Sequence, residues 1–124
     1  NNNGSFRAVG KFIDGEITIK GKINKDVSID DGIKMAEVCA KALLSQLKAA
    51  CNGDLDKVIK VVKLGGFVAS SPDFTDHPKI INGASDLIVK IFEEKGKHSR
   101  FAVGVASLPL NAPVEIEGIF EIKN

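Results

Sequence analysis

The sequence predicts an α+β domain, a mixed sheet with two helices packed on one face. Three observations carry that prediction: the elements read in the order β-β-α-β-α-β-β, two segments repeat their apolar residues at helical spacing, and the others alternate at a period of two. At 124 residues, 44% apolar and 27% charged, the chain has the size and composition of one ordinary globular domain spanning residues 1–124. No linker, internal repeat or low-complexity stretch divides it. A sheet covered by helices on one side leaves its other face open, and that face is expected to carry small residues and a row of carboxylates. Another subunit would cover it most economically.

Taken in order, the segment from Phe6 to Ile23 reads as a hairpin, because Asp14-Gly15 stands between two short runs containing β-branched and aromatic residues. Ser28, with Asp31 three residues on, resembles a capping box. Ile29, Ile33, Ala36, Ala40, Leu43, Leu47 and Ala50 then lie three or four residues apart, so one long amphipathic helix follows and ends at Asn52-Gly53. Val58 to Ser70, rich in Val and Ile, reads as a central strand whose Gly65-Gly66 pair marks a bulge or a close backbone approach. Pro72 and Pro78 frame a loop. Ala84, Leu87, Ile88, Ile91 and Phe92 share one face of a second helix that ends near Gly96. Phe101, Val103 and Val105 alternate with smaller or polar residues, as Val114, Ile116, Gly118, Phe120 and Ile122 do later. These last two strands are expected to pair as a hairpin around Leu108-Pro109.

Seventeen basic and sixteen acidic residues give a net charge of +1, and no stripe of positive charge could track phosphates, so nucleic acid is not expected as a partner. No stretch approaches the roughly 20 apolar residues of a membrane-spanning helix, and Asn1-Asn2-Asn3-Gly4 lacks a signal-peptide core. A soluble, cytoplasmic protein is expected, with no membrane partner. Cys39 and Cys51 fall on one helix about 18 Å apart by helical rise, too far to bridge, and read as reduced, semi-buried thiols. P-loop, GxGxxG, HExxH and GxSxG motifs are all absent, and neither a cofactor nor a metal is expected. His77 and His98 have no second ligand at metal spacing and read as solvated loop residues.

Two features have the makings of a site. Glu115, Glu117 and Glu121 share one face of the last strand, where like charges repel unless water, cations or a neighbour separate them. On the preceding strand Arg100 is followed on its own face by Ala102, Gly104 and Ala106. Small neighbours leave room for a ligand, and a guanidinium fork fits a carboxylate.

Three blocks, Leu64-Gly65-Gly66-Phe67-Val68-Ala69-Ser70, Asn82-Gly83-Ala84-Ser85-Asp86-Leu87, and Arg100 through Leu108-Pro109 to Val114-Glu115-Ile116-Glu117, resemble the YjgF/RidA-like family, also called L-PSP endoribonucleases. The resemblance runs from about Gly21 to Ile122. It implies a chorismate-mutase-like fold (bacillus type), a barrel-forming homotrimer and ligand clefts between subunits. In family members with deaminase activity, the residue matching Arg100 holds the substrate carboxylate, and the one matching Glu115 helps place a water. Reactive imines or enamines are hydrolysed there to keto acids and ammonia. The same resemblance makes Arg100 and Glu115 the catalytic candidates and Arg100, Asn82, Gly10, Phe67 and Ala102 the ligand-binding ones. This chain departs from the deaminase subgroup where Val9-Gly10-Lys11 replaces a Ser-Gly-Gln segment and Ala102 replaces a cysteine, and it contains no tyrosine. The alternative is therefore a homotrimer that binds a keto acid or similar carboxylate without turnover, as sensor or scavenger. A ribonuclease would need a basic groove, which the near-neutral charge disfavours.

Overall fold

The computed structural model describes residues 3–10 and 19–123; for 3–10 only the backbone course is considered. Among them the order is β1 (Asn3–Gly10), α1 (Ile29–Ala50), β2 (Val58–Ala69), α2 (His77–Phe92), β3 (Ser99–Val105) and β4 (Val114–Lys123). The second strand of the expected early hairpin falls largely on residues 11–18, outside the described residues. Beyond them residues 19–23 add no strand, only isolated bridges from Ile23 to Val27 and Ser70.

Local chemistry explains both helices. Ser28, extended at φ −73° and ψ 160°, accepts the Asp31 N–H on its side chain at 3.1 Å, satisfying a donor that the first turn of α1 would otherwise leave open. Asp30 and Asp31 lie at the positive end of the helix dipole and Lys48 at the negative end. After Cys51 the chain turns at Gly53, with φ +86°, and the Gly53 N–H donates to the Lys48 carbonyl at 2.8 Å. In α2, Pro78 occupies the first turn, where no N–H is needed. The helix thus starts at His77, within what reads from sequence as a loop, and it passes into a 3-10 turn at Glu93–Gly96.

The sheet order is β1-β4-β2-β3. β4 runs antiparallel to both β1 and β2, whereas β3 runs parallel to β2, so the sheet is mixed as expected. The expected hairpin of the last two strands does not form: β3 and β4 flank β2 on opposite sides. A two-residue hairpin would need positive φ at its centre, which proline cannot adopt. Instead residues 106–113 carry the chain across the end of β2 through a 3-10 turn at Pro109–Asn111, with Leu110 and Asn111 both at φ 59°. The Pro113 carbonyl accepts from Ala69 N–H at 2.9 Å and the Asn111 carbonyl from Gly21 N–H at 2.9 Å, tying that crossing down. Register shifts in β2 fall between Val58 and Lys60 and between Val61 and Lys63, ahead of the glycine pair. Gly65 and Gly66 are close-approach positions, where a Cβ would meet the Phe101 ring on one face and Ile81 on the other.

The core lies between the helices and one face of the sheet. Leu43 and Leu47 of α1, Ile80, Ile81 and Ile88 of α2, Leu64 and Val68 of β2, and Ile116 and Phe120 of β4 are fully buried. Alternation along β4 then puts Glu115, Glu117, Ile119 and Glu121 on the opposite face, all half-buried. That face also carries Phe67, Phe101 and Val103. The expected company of small residues is corrected: Ala102 and Gly104 point to the helix side, and large apolar residues accompany the carboxylates.

Candidate functional site

Strand β3 forms one edge of the sheet, and α2 lies along its helix-side face. Because side chains alternate, Arg100, Ala102 and Gly104 face α2 while Phe101, Val103 and Val105 face away. Arg100, half-buried, donates from Nη1 to Asn82 Oδ1 at 2.7 Å and to Ser85 Oγ at 3.2 Å, both on α2. Asn82 and Ser85 are one helical turn apart, so they present neighbouring acceptors to one nitrogen. Among the described residues no carboxylate pairs with Arg100, whose charge is met by a neutral amide and a neutral hydroxyl. Behind Ser85 stands His98, with Nε2 3.0 Å from Ser85 Oγ and Nδ1 at the Gly96 carbonyl. His98 is thus a half-buried, doubly hydrogen-bonded residue and not a solvated loop side chain.

The remaining candidates separate into two groups. Ala102 lies near Arg100 on the helix side, packed against the core. Phe67 and Glu115, opposite each other in the β2–β4 register, are on the other face of the sheet. One chain therefore does not bring Arg100 and Glu115 together. The Phe67 and Phe101 rings meet edge to face at 5.3 Å, and the Lys63 ammonium sits 5.2 Å from the Phe101 centroid, so the open face has an aromatic cluster with a cation over it. Gly10 ends β1 opposite Ile116; Lys11 lies outside the described residues.

A second concave region escapes sequence reasoning. Ser70, Ser71, Phe74, His77, Gly104 and Ala106 help to line a cavity of about 380 Å³ at the start of α2. His77 Nε2 is 3.3 Å from Ser70 Oγ, its ring stands edge-on to Phe74 at 5.2 Å, and a Cβ on Gly104 would collide with His77 Nε2. His77 is accordingly a half-buried helix residue, a correction to the loop reading. Pro78 was the available signal, since proline in a first turn places the preceding residue at a helix start. The Ser70 and Ser71 N–H groups are engaged with the Val105 and Ile23 carbonyls, so they do not form an oxyanion hole beside Ser70.

Neither thiol is activated. Burial, with the Glu115 charge adding to it, pushes the Cys39 thiol up to about 12, and burial raises Cys51 as well. Both are unbridged. Among the described residues no three His, Cys, Asp or Glu side chains cluster as a metal site, and no helix is long and apolar enough to cross a membrane.

Residues 4–120 match the family described as "YjgF/chorismate_mutase-like, putative endoribonuclease". Protein TCP17 of Trypanosoma cruzi is 48% identical over 105 residues, which cover 84% of this chain and 65% of TCP17. The chain thus spans somewhat under two thirds of that relative's length. Among solved structures, protein Atu1372 of Agrobacterium tumefaciens superposes with a TM-score of 0.89 at 45% identity, over 99% of this chain and 77% of that one. A Shewanella oneidensis structure described as a "putative endoribonuclease" gives 0.86 at 26% identity, over 98% and 80% of the two chains.

Proposed function

The chain belongs to the YjgF/chorismate-mutase-like family, and from that premise we propose that it assembles as a homotrimer, binds a small carboxylate-bearing metabolite through Arg100 in a cleft between subunits, and hydrolyses imine or enamine intermediates there to keto acids and ammonia. The observation that carries this reading is the state of Arg100. Two neutral acceptors hold Nη1, and among the described residues no hydrogen bond engages Nε or Nη2, which leaves that edge of the guanidinium for a planar two-point contact with a carboxylate. A guanidinium already neutralised by an aspartate or glutamate would offer far less to an anion.

In the proposed reaction the fixed carboxylate orients the imine carbon toward water, so that addition and loss of ammonia proceed from a positioned substrate without a cofactor. Glu115 would act on that water. Since it stands on the sheet face away from Arg100, it would reach the substrate only from a second copy, so the mechanism needs an oligomer, which in this reading is the trimer. In this reading Asn82, which holds Arg100, binds ligand beside it with Gly10 and Ala102, and Phe67, on the face of Glu115, would come with it from the second copy. Cytoplasmic location is part of the same proposal, supported by two unbridged thiols.

The test is ammonia release from enzymatically generated 2-iminobutyrate and related imino acids. Wild type should accelerate release and Arg100→Ala should return it to the uncatalysed rate. No acceleration with any imino acid would remove the hydrolase. A second reading, carboxylate binding without turnover, is favoured by Ala102 and by the absence of tyrosine. It predicts that 2-oxobutyrate binds to wild type, and not to Arg100→Ala, while no ammonia is released.

A further inference from the structure

Ser85 and His98, which the carboxylate-binding reading does not use, form with Arg100 a hydrogen-bond chain that, for a neutral His98 ring, is self-consistent in one direction. Arginine only donates, so Asn82 Oδ1 at 2.7 Å and Ser85 Oγ at 3.2 Å are both acceptors. The Gly96 carbonyl beside His98 Nδ1 only accepts, which assigns the ring proton of neutral His98 to Nδ1 and leaves Nε2 as an acceptor. Ser85 has one hydroxyl proton, and His98 Nε2 lies 3.0 Å from its oxygen. Ser85 therefore donates to His98 and turns its lone pairs toward Arg100. With Ser85 only 8% exposed, bulk water is a poor substitute for either contact.

The geometry points to Ser85 and His98 as positioning residues for Arg100. The chain from Arg100 Nη1–H to Ser85, Ser85 O–H to His98 and His98 Nδ1–H to Gly96 sets the guanidinium plane, so that the Nε and Nη2 edge faces the ligand before it arrives. A long, rotamer-rich side chain that is already ordered loses less entropy on binding. Asn82 alone would hold Nη1 from an exposed position; the buried hydroxyl adds a second acceptor and thereby a plane. This inference rests on the reading of Arg100 as a carboxylate anchor, but the restraint itself exists without ligand and is measurable by itself.

The experiment is side-chain NMR on 15N,13C-labelled full chain without ligand, followed by titration with 2-oxobutyrate, for wild type, Ser85→Ala, His98→Leu and His98→Gln. Glutamine can offer an acceptor where His98 Nε2 stands, and leucine cannot. Wild type should give separate Arg100 Nη1 and Nη2 resonances and an Nδ1–H tautomer for His98. Ser85→Ala and His98→Leu should average the Nη signals and weaken 2-oxobutyrate binding about tenfold, with His98→Gln returning both to near wild type. Ser85→Ala leaves the His98–Gly96 contact in place, so it serves if His98→Leu fails to fold. Averaged Nη signals in wild type, or unchanged ones in Ser85→Ala, would overturn the positioning role. Restrained signals in a protein that binds no 2-oxobutyrate would instead remove the carboxylate reading and leave the positioning intact.

Discussion

Arg100 shows how much a single side chain's surroundings decide. Its charge is held by an amide and a hydroxyl, so in the proposed carboxylate site anion recognition would depend on fork geometry as well as on charge. Arg100→Lys should keep the charge but lose the second donor, weakening 2-oxobutyrate binding about tenfold in a calorimetric titration. Cys39 is the opposite case, a potential nucleophile silenced by burial. Burial raises its folded pKa from the ordinary thiol value of 9.0 to about 12, so its contribution to stability is complete below pH 9 and is lost as the pH rises toward 12, because the unfolded thiol ionises first. Denaturant melts should therefore show stability falling from pH 9 upward, and Cys39→Ala should flatten that slope. Unchanged slopes would mean the thiol is more hydrated than its burial implies.

Elements are held by their ends and by their crossings. Removing the Ser28 cap leaves the Asp31 N–H without its side-chain acceptor, so Ser28→Ala should cost about 1 kcal/mol in urea unfolding without changing the fold. The crossing of α1 and α2 is tighter: a Cβ at Gly83 would run into the Ile33 carbonyl, which is backbone and cannot swing aside. Gly83→Ala should cost more than the Ser28 change, although alanine is the better helix former and would be expected to help on an exposed helix. A neutral or stabilising result would show that the helices separate readily. At the sheet, Gly65→Val would drive Cγ atoms into the Phe101 ring and disturb the aromatic cluster of the open face.

Across the whole molecule, the two sheet faces have different tasks. One is sealed by the helices. The other exposes Val103 at 43% among Phe67, Phe101 and half-buried glutamates, an apolar composition for a surface left to water. In the proposed trimer this face lies against the neighbouring copies, so Val103→Glu should shift light-scattering mass toward the monomer and abolish any ammonia release with it. A trimer that survives Val103→Glu would place its interface elsewhere.

Periodicity and end signals in the sequence determined the element types. The Ser28 cap, the three-and-four spacing from Ile29 to Ala50 and the alternation along Val114 to Ile122 are local patterns, and local sterics and hydrogen bonding suffice to realise them. A fork of donors with small neighbours drew attention to Arg100 without coordinates, whereas Glu115, one of a row of like charges, became a candidate only through the family resemblance. Tertiary structure alone decided who meets whom. Strand partners depend on burying one continuous core, and β3 and β4 part around β2 although a turn-like Leu108-Pro109 lies between them. Arg100 and Glu115 end on opposite faces for the same reason: each strand's alternation is fixed locally, but which face the helices cover is set by long-range packing. His98 and Ser85, thirteen residues apart, meet only because α2 folds back along β3 and excludes the water that would otherwise have separated them.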